Sequence, residues 1–141
     1  LLLLVVVAGC HSANDPEREI RALLAAAAQA AEARDTGFFR DLIGSSYRDS
    51  RGNDRDQIIN MVRGLFIANQ RVEIVSRIDG VKLEGAGAAH AIVYAGMLGQ
   101  RAGAELLGGM NGNLYRFELE LVNDNGDWQI IGATWDRATG D

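Results

Sequence analysis

The sequence predicts an α+β domain in which three N-terminal helices pack on one face of a curved, four-stranded antiparallel sheet. In the first half of the chain, apolar residues recur at helical spacing. From Arg71 onward they alternate with polar residues, which is the period of a strand. The 141 residues have the size of one domain, and a hydrophobic fraction of 48% is enough to form a core.

The first helix is predicted to begin at Pro16, with Asp15 as its N-cap and acidic residues in its first turn. Its apolar stripe follows the spacing i, i+3, i+4, i+7 and i+11. The stripe contains Ile20, Leu23, Leu24, Ala27 and Ala31. The alanines at 25–28 keep this helix thin, so it can lie close to the surface that it covers.

Two shorter helices are predicted to follow. The second contains Phe38, Phe39, Leu42 and Ile43 and ends at Gly44. Tyr47 then lies in a brief extended piece before a turn. The third helix begins at Asp54, where Gln57 three residues later completes a capping-box pattern. Its apolar stripe contains Ile58, Met61, Val62 and Leu65.

Four strands of a meander complete the predicted domain. They cover residues 71–84, 89–100, 114–122 and 128–137. We expect a bulge at Asp79-Gly80, because the extended pattern continues beyond it, and the turn itself at 85–87. A Gly- and Leu-rich loop joins the second and third of these strands, and Asn125-Gly126 turns the chain into the last one.

This order of elements, with the ending "NGDWQIIGATWDR", resembles the NTF2-like superfamily, which includes the SnoaL-like and ketosteroid-isomerase-like proteins. The resemblance covers residues 16–137. It implies an NTF2-like cone, in which the sheet bends round the helices and encloses an apolar pocket. Isomerases, cyclases, dehydratases, transport factors and binding proteins share this fold, so the resemblance does not decide the function.

The stretch "LLLLVVVAGC" resembles the end of a bacterial lipoprotein signal peptide. Residues 1–8 are too few to span a bilayer, which takes roughly 20 apolar residues. We interpret residues 1–9 as a partial signal, Cys10 as the lipidated residue and residues 10–15 as a lipidated tether. Because His11 is not an inner-membrane retention aspartate, we expect anchoring in the cell envelope, at the periplasmic face of the outer membrane. The alternative is a buried cysteine that ends a core segment.

The composition of the chain argues against several classes of partner and site. With 14 basic and 19 acidic residues interspersed, the net charge of −5 offers no electrostatic footprint for nucleic acid. One cysteine forms no internal disulfide and leaves no cysteine-based zinc site. The two histidines are far apart in the sequence, so we expect neither a metal site nor a cofactor.

Catalysis by an isomerase of this kind needs a carboxylate base beside the pocket and hydrogen-bond donors for an enolate oxygen. Asp41 and Tyr47 are the weak candidates, and neither matches a catalytic motif of the family. Asp136 and His90 are further possibilities, but exposed or structural roles are the simpler interpretation of both. Of the two tryptophans, Trp128 is expected to pack in the core.

The expected pocket residues are Tyr47, Tyr115, Phe117 and Trp135. These side chains offer phenols and apolar rings but no carboxylate. We therefore expect non-catalytic binding of a small apolar ligand or of an envelope protein partner. An isomerase or dehydratase is the alternative, and a cone filled by its own side chains is a third possibility.

The outer face of the sheet bears charges of both signs, at Arg116, Glu118 and Glu120. A dry interface would have to desolvate them, and mutual pairing seldom offsets that cost. The sequence therefore predicts a monomer or a weak dimer.

Overall fold

The computed structural model describes residues 15–99 and 114–138, which form three helices and five strands. In chain order these are α1 (Pro16–Glu32), α2 (Thr36–Leu42), β1 (Ile43–Asp49), α3 (Arg55–Ala68), β2 (Val72–Leu83), β3 (Ala88–Gly99), β4 (Leu114–Asp124) and β5 (Asp127–Arg137). Cys10, the tether and the Gly- and Leu-rich loop lie outside the described residues.

Helix α1 begins as its sequence predicts. The Asp15 carboxylate accepts a hydrogen bond of 3.3 Å from the backbone N–H of Arg18, and Pro16 is the first helical residue. Ile20 is fully buried, with Leu24 and Ala30 nearly so. The C-terminal end of α1 reaches the free edge of β2, where the Glu32 carboxylate accepts a 2.9 Å bond from the Ile74 N–H.

The prediction for the second helix was wrong at its end. Helix α2 stops at Leu42, and Ile43 is already in extended conformation as the first residue of strand β1. Strand β1 pairs in parallel with β5. The sheet therefore has five strands and is mixed, so the predicted sheet of four antiparallel strands was also wrong in this detail.

The predicted meander is confirmed within this larger sheet. Its strand order is β1-β5-β4-β3-β2, and β2 to β5 pair antiparallel in sequence. The register of β2 shifts between Ile78 and Gly80, as the predicted bulge requires. At the β4–β5 turn, Asn125 and Gly126 have φ of 53° and 93°, the left-handed values typical of this tight hairpin turn.

A second bulge bends the sheet between β4 and β5. Glu120 pairs with Gly132 and Leu121 pairs with Ile130, which leaves Ile131 as the extra residue. A Cβ at Gly132 would lie 2.8 Å from the Glu120 Oε2 atom, the free end of an exposed side chain that can turn aside. Together the two bulges increase the curvature that brings the inner face of the sheet round the helices.

Helix α3 is fixed at its N-terminus by the predicted capping box. The Asp54 carboxylate accepts a 2.9 Å bond from the Gln57 N–H, and the Gln57 side chain accepts a 2.9 Å bond from the Asp54 N–H. Arg55 ties this end to its neighbours, since its Nε donates to the Ile43 carbonyl at 2.9 Å and its Nη2 to the Arg40 carbonyl at 2.6 Å. Helix α3 therefore packs on α2 and β1.

Substitution of Asp54 by alanine should lower the free energy of unfolding by about 1 kcal/mol, since it removes the cap of α3. Asp56→Ala is the matched control, because that side chain is 89% exposed and forms only a 4.0 Å contact with Arg55. Chemical denaturation of both variants measures the difference. Equal stability of the two variants would contradict a stabilising role for the capping box.

Candidate functional site

An apolar cavity of about 330 Å³ lies between the helices and the inner face of the sheet. We call it the cone cavity. Helix α1 contributes Ala27, Ala28 and Ala31 to its wall, and α3 contributes Ile58 and Val62. On the opposite side the sheet contributes residues from β2 to β5, among them Phe117, Leu119 and Trp135.

Several side chains in the wall of the cone cavity are small. Ala27, Ala28 and Ala31 of α1, Ala95 of β3 and Ala133 of β5 all line it. Leu24, Leu119 and Ile130 are buried in the wall. Ser76 is exposed and Trp135 is half-buried, which shows that the cavity opens to solvent on that side.

Three side chains of the wall carry a polar atom, namely Tyr47, Ser76 and Trp135. The Tyr47 side chain is buried, and its hydroxyl donates a 3.0 Å hydrogen bond to the Asp49 Oδ2 atom. Burial and the neighbouring carboxylate raise the pKa of the Tyr47 phenol well above its usual value. The wall is therefore apolar, and its one buried hydroxyl is already committed to a protein acceptor.

Asp49 is a buried carboxylate that the sequence analysis missed, and it is only 6% exposed. Its Oδ1 accepts hydrogen bonds from the backbone N–H groups of Arg51 and Asn53, at 2.9 and 3.0 Å. The Asn53 side-chain amide bonds both carboxylate oxygens, at 3.2 and 3.1 Å. Burial alone would raise the pKa of Asp49, but these bonds, with that from Tyr47, lower it below its usual value.

The expected pocket residues divide between the wall and its surroundings. Tyr47, Phe117 and Trp135 line the cone cavity, with the Phe117 and Trp135 rings stacked at a centroid distance of 6.3 Å. Tyr115 lies outside the wall but packs against the Phe117 ring, also at 6.3 Å. The part of the wall formed by α1 and α3 was not predicted as pocket, although the apolar stripes of these helices were recognised in the sequence.

Asp41 lies away from this site. It is exposed on α2 and lines a separate polar groove with Arg40, Arg55 and Asp127. The two weak catalytic candidates, Asp41 and Tyr47, are thus not brought together in one pocket. The carboxylate that the fold places beside Tyr47 is Asp49.

His90, Asp136 and Trp128 do not line the cone cavity, and each contacts other groups of the protein. His90 is partly exposed, and its Nε2 atom lies 3.3 Å from the Glu84 Oε2 atom. Asp136 is exposed and pairs in register with Arg116. Trp128 is buried, as expected, and its Nε1 donates a 3.2 Å bond to the Glu19 carboxylate.

No group of three or more His, Cys, Asp or Glu side chains within residues 15–99 and 114–138 is arranged to hold a metal ion. No helix in the same ranges has the length and apolar character needed to cross a membrane.

The Asp49 cluster makes a prediction about pH. An Asp whose pKa is lower in the folded state stabilises the fold above its unfolded pKa of about 3.9, and that stabilisation is lost as the pH falls through the folded pKa. At pH 7 we expect Asp49→Asn to lower the free energy of unfolding by about 2 kcal/mol, because donors now face an amide. Tyr47→Phe should lower the free energy of unfolding by about 1 kcal/mol, because it removes the hydrogen bond to Asp49.

Urea denaturation of the wild type and Asp49→Asn from pH 7 down to pH 3 measures this effect. The difference between the two proteins should shrink below about pH 4, because there the unfolded wild type takes up a proton at Asp49 while the folded protein, with its lowered pKa, does so only at a lower pH. Asp41→Asn is the control and should track the wild type, since its carboxylate is exposed. A difference between wild type and Asp49→Asn that is independent of pH would contradict the role assigned to the charge.

Comparison with known proteins identifies the fold through structure rather than sequence. No protein-family model matches the sequence, and no curated protein matches it. An NTF-2 like protein of unknown function from Silicibacter pomeroyi has a TM-score of 0.65 at 16% identity, over 86% of this chain and 94% of that one. A domain of unknown function with a cystatin-like fold, from Nostoc punctiforme, has a TM-score of 0.67 at 14% identity, over 86% and 76%.

A ketosteroid isomerase-like protein from Erwinia carotovora atroseptica is similar over 90% of this chain and 99% of its own, with a TM-score of 0.64 and 13% identity. At such identities these likenesses show the fold alone. The chain therefore has the fold of the NTF2-like proteins, which confirms the resemblance predicted from its order of elements and its C-terminal segment.

Proposed function

We propose that this protein is a non-catalytic binding protein of the bacterial cell envelope, which takes a small apolar ligand into the cone cavity. The observation that carries the proposal is a solvent-open cavity of about 330 Å³ with an apolar wall. Cavities that bury most of a small ligand against apolar side chains are the usual form of a small-molecule site. Burial of the ligand's apolar surface would supply the binding free energy.

The alternative, an isomerase or dehydratase, has less support from the groups beside the cavity. A general base is most effective when its pKa lies near the working pH. The pKa of Asp49 is lowered instead, and its oxygens already accept bonds from Tyr47, Arg51 and Asn53. Tyr47 is likewise a poor acid for a substrate, because its proton is held by Asp49.

The proposed location rests on the stretch that ends at Cys10 and resembles the end of a bacterial lipoprotein signal peptide. A lipid there would attach the domain close to the start of α1, at Pro16. The open cavity lies further along this helix, since its wall includes Ala31, which is about 22 Å from Pro16 at 1.5 Å per residue. An anchor in the outer membrane would then hold one end of α1 near the bilayer, with the cavity displaced from it. We retain a monomer or a weak dimer as the proposed assembly.

Binding is tested with N-phenyl-1-naphthylamine, an uncharged apolar fluorophore. Its fluorescence should rise on mixing with the protein, because the dye leaves water for the cavity. Ala28→Phe places a ring in the cavity and should weaken dye binding at least about tenfold, since an occupied site cannot bury the same area. Ala25→Phe is the matched control on the exposed side of α1 and should bind like the wild type.

Equal dye binding by the two phenylalanine variants would show that the dye binds elsewhere and would contradict the proposal. Circular dichroism and thermal unfolding of each variant establish that it is folded. Absence of dye binding by the folded wild type would contradict the proposal as well.

Lipidation is tested in bacteria that express the precursor with its complete signal. Radiolabelled palmitate should enter the wild type and be absent from Cys10→Ser. Firm anchoring is expected, because each buried methylene contributes about 0.8 kcal/mol and lipoproteins carry more than one acyl chain. Label that persists in Cys10→Ser would contradict lipidation at this residue.

A further inference from the structure

We propose that the ligand of the cone cavity is a fatty carboxylate of about twelve carbons, with its chain in the cavity and its carboxylate at Arg51 on the rim. This inference rests on the proposed function and names the class of ligand. It is carried by the size and polarity of the cavity, by the apolar surface that continues from it, and by the position of Arg51.

The size and polarity of the cavity favour an alkyl chain. A group the size of a water occupies about 30 Å³, so 330 Å³ holds about eleven such groups, and a methylene is of similar size. A ligand with several polar groups would leave them unpaired in this apolar wall, at a cost in free energy. A saturated chain needs no hydrogen-bond partner there.

The apolar surface continues from the cavity along α3. Ile58 and Val62 line the cavity, and Met61 and Leu65 lie beside them on the same helix at the spacing of one stripe. Met61 is 50% exposed and Leu65 is 41% exposed. The methyl end of a chain longer than the cavity can therefore stay in contact with apolar side chains where it emerges along α3.

Arg51 is held at this rim by two contacts with Trp135. The carbon of its guanidinium lies 4.7 Å from the centroid of the Trp135 ring, and its Nη2 donates a 3.2 Å bond to the Trp135 carbonyl. Trp135 itself lines the cavity. The exposed cation is thus fixed beside a half-buried aromatic residue of the wall.

The charge of Arg51 is available to an anion. Among residues 15–99 and 114–138, the ion pairs do not include Arg51. A guanidinium presents a planar fork of donors that matches a carboxylate, and stacking on an aromatic ring keeps it oriented. An apolar chain in the cavity and a carboxylate at Arg51 therefore satisfy both parts of one amphiphile.

The fold supplies a matched control arginine. Arg77 also stacks on an aromatic ring, with its guanidinium carbon 5.0 Å from the centroid of Tyr94. Tyr94 is on the outer face of the sheet, where it lines a groove with Arg116 and Asp136. Arg51→Gln and Arg77→Gln thus each remove a positive charge stacked on an aromatic ring, on opposite faces of the sheet, and Arg77→Gln also removes an exposed ion pair with Asp79 at 3.4 Å.

Isothermal titration calorimetry of the folded domain is done with dodecanoate and with dodecan-1-ol, each below its micellar or solubility limit. Arg51→Gln should weaken dodecanoate binding about fivefold, the scale of one exposed ion pair, and leave dodecan-1-ol binding unchanged. Arg77→Gln should leave both unchanged. The effect of Arg51→Gln should diminish in high salt.

Unchanged dodecanoate binding by Arg51→Gln, with dodecan-1-ol still bound, would overturn the carboxylate assignment and leave the apolar site standing. An equal loss with Arg77→Gln would also overturn it, since the effect would then follow net charge. If neither ligand binds but N-phenyl-1-naphthylamine does, the fatty-chain class is wrong and the proposed function remains. If none of the three binds, the proposed function fails.

Discussion

The face that α1 presents to the sheet determines the rest of this structure. Alanines at 27, 28 and 31 of the helix and at 95 and 133 of the sheet line the cavity, and their small side chains leave space that larger ones would fill. With leucines in these positions the same fold would have an ordinary packed core. The cavity therefore does not need a special backbone. It follows from the size of the side chains on two packed surfaces.

A second constraint keeps that space accessible. Strand β1 joins the sheet at its far edge beside β5, and the turn that follows it must lead into α3 without covering the cavity. Asp49 fixes this turn, because its carboxylate accepts hydrogen bonds from the backbone N–H groups of Arg51 and Asn53. The same carboxylate holds the Tyr47 hydroxyl in the wall. One buried charge thus positions a wall residue, the start of α3 and the arginine at the rim.

The sequence predicted those parts of the fold whose signals are local. Asp15 and Asp54 cap helices through N–H groups three residues away, and Asn125-Gly126 turns a hairpin by its own φ values. The piece around Tyr47 was predicted to be extended, but its place in the sheet as β1 was not predicted, because its partner, β5, is more than 80 residues away along the chain. Its serines and interrupted register also hide the alternation that reveals a strand.

The residues of the site were less predictable than the fold, because they depend on contacts between distant parts of the chain. Phe117 and Trp135 follow from strand alternation, but Arg51 meets Trp135 only through a contact between residues 84 positions apart. Asp49 has local partners at Arg51 and Asn53, so an aspartate at the start of a Gly-Asn turn could have indicated a buried carboxylate cluster. The bond from Tyr47 that accompanies them is visible only once β1 is recognised as a strand.

The cavity affects both the stability of the fold and its capacity to bind a ligand. A dry, closed void of 330 Å³ would cost about 8 kcal/mol at 24 cal/mol per Å³, which is comparable to the whole stability of a small domain. The opening beside Ser76 and Trp135 admits water and avoids most of that cost.

Water against an apolar wall lacks hydrogen-bond partners, however, and its release to bulk favours any apolar ligand that replaces it. A ligand present at 100 times its Kd would stabilise the fold by about 2.7 kcal/mol. Under the proposed function, the incomplete packing around these alanines would supply the binding free energy of a ligand, and the protein would be most stable with the cavity occupied.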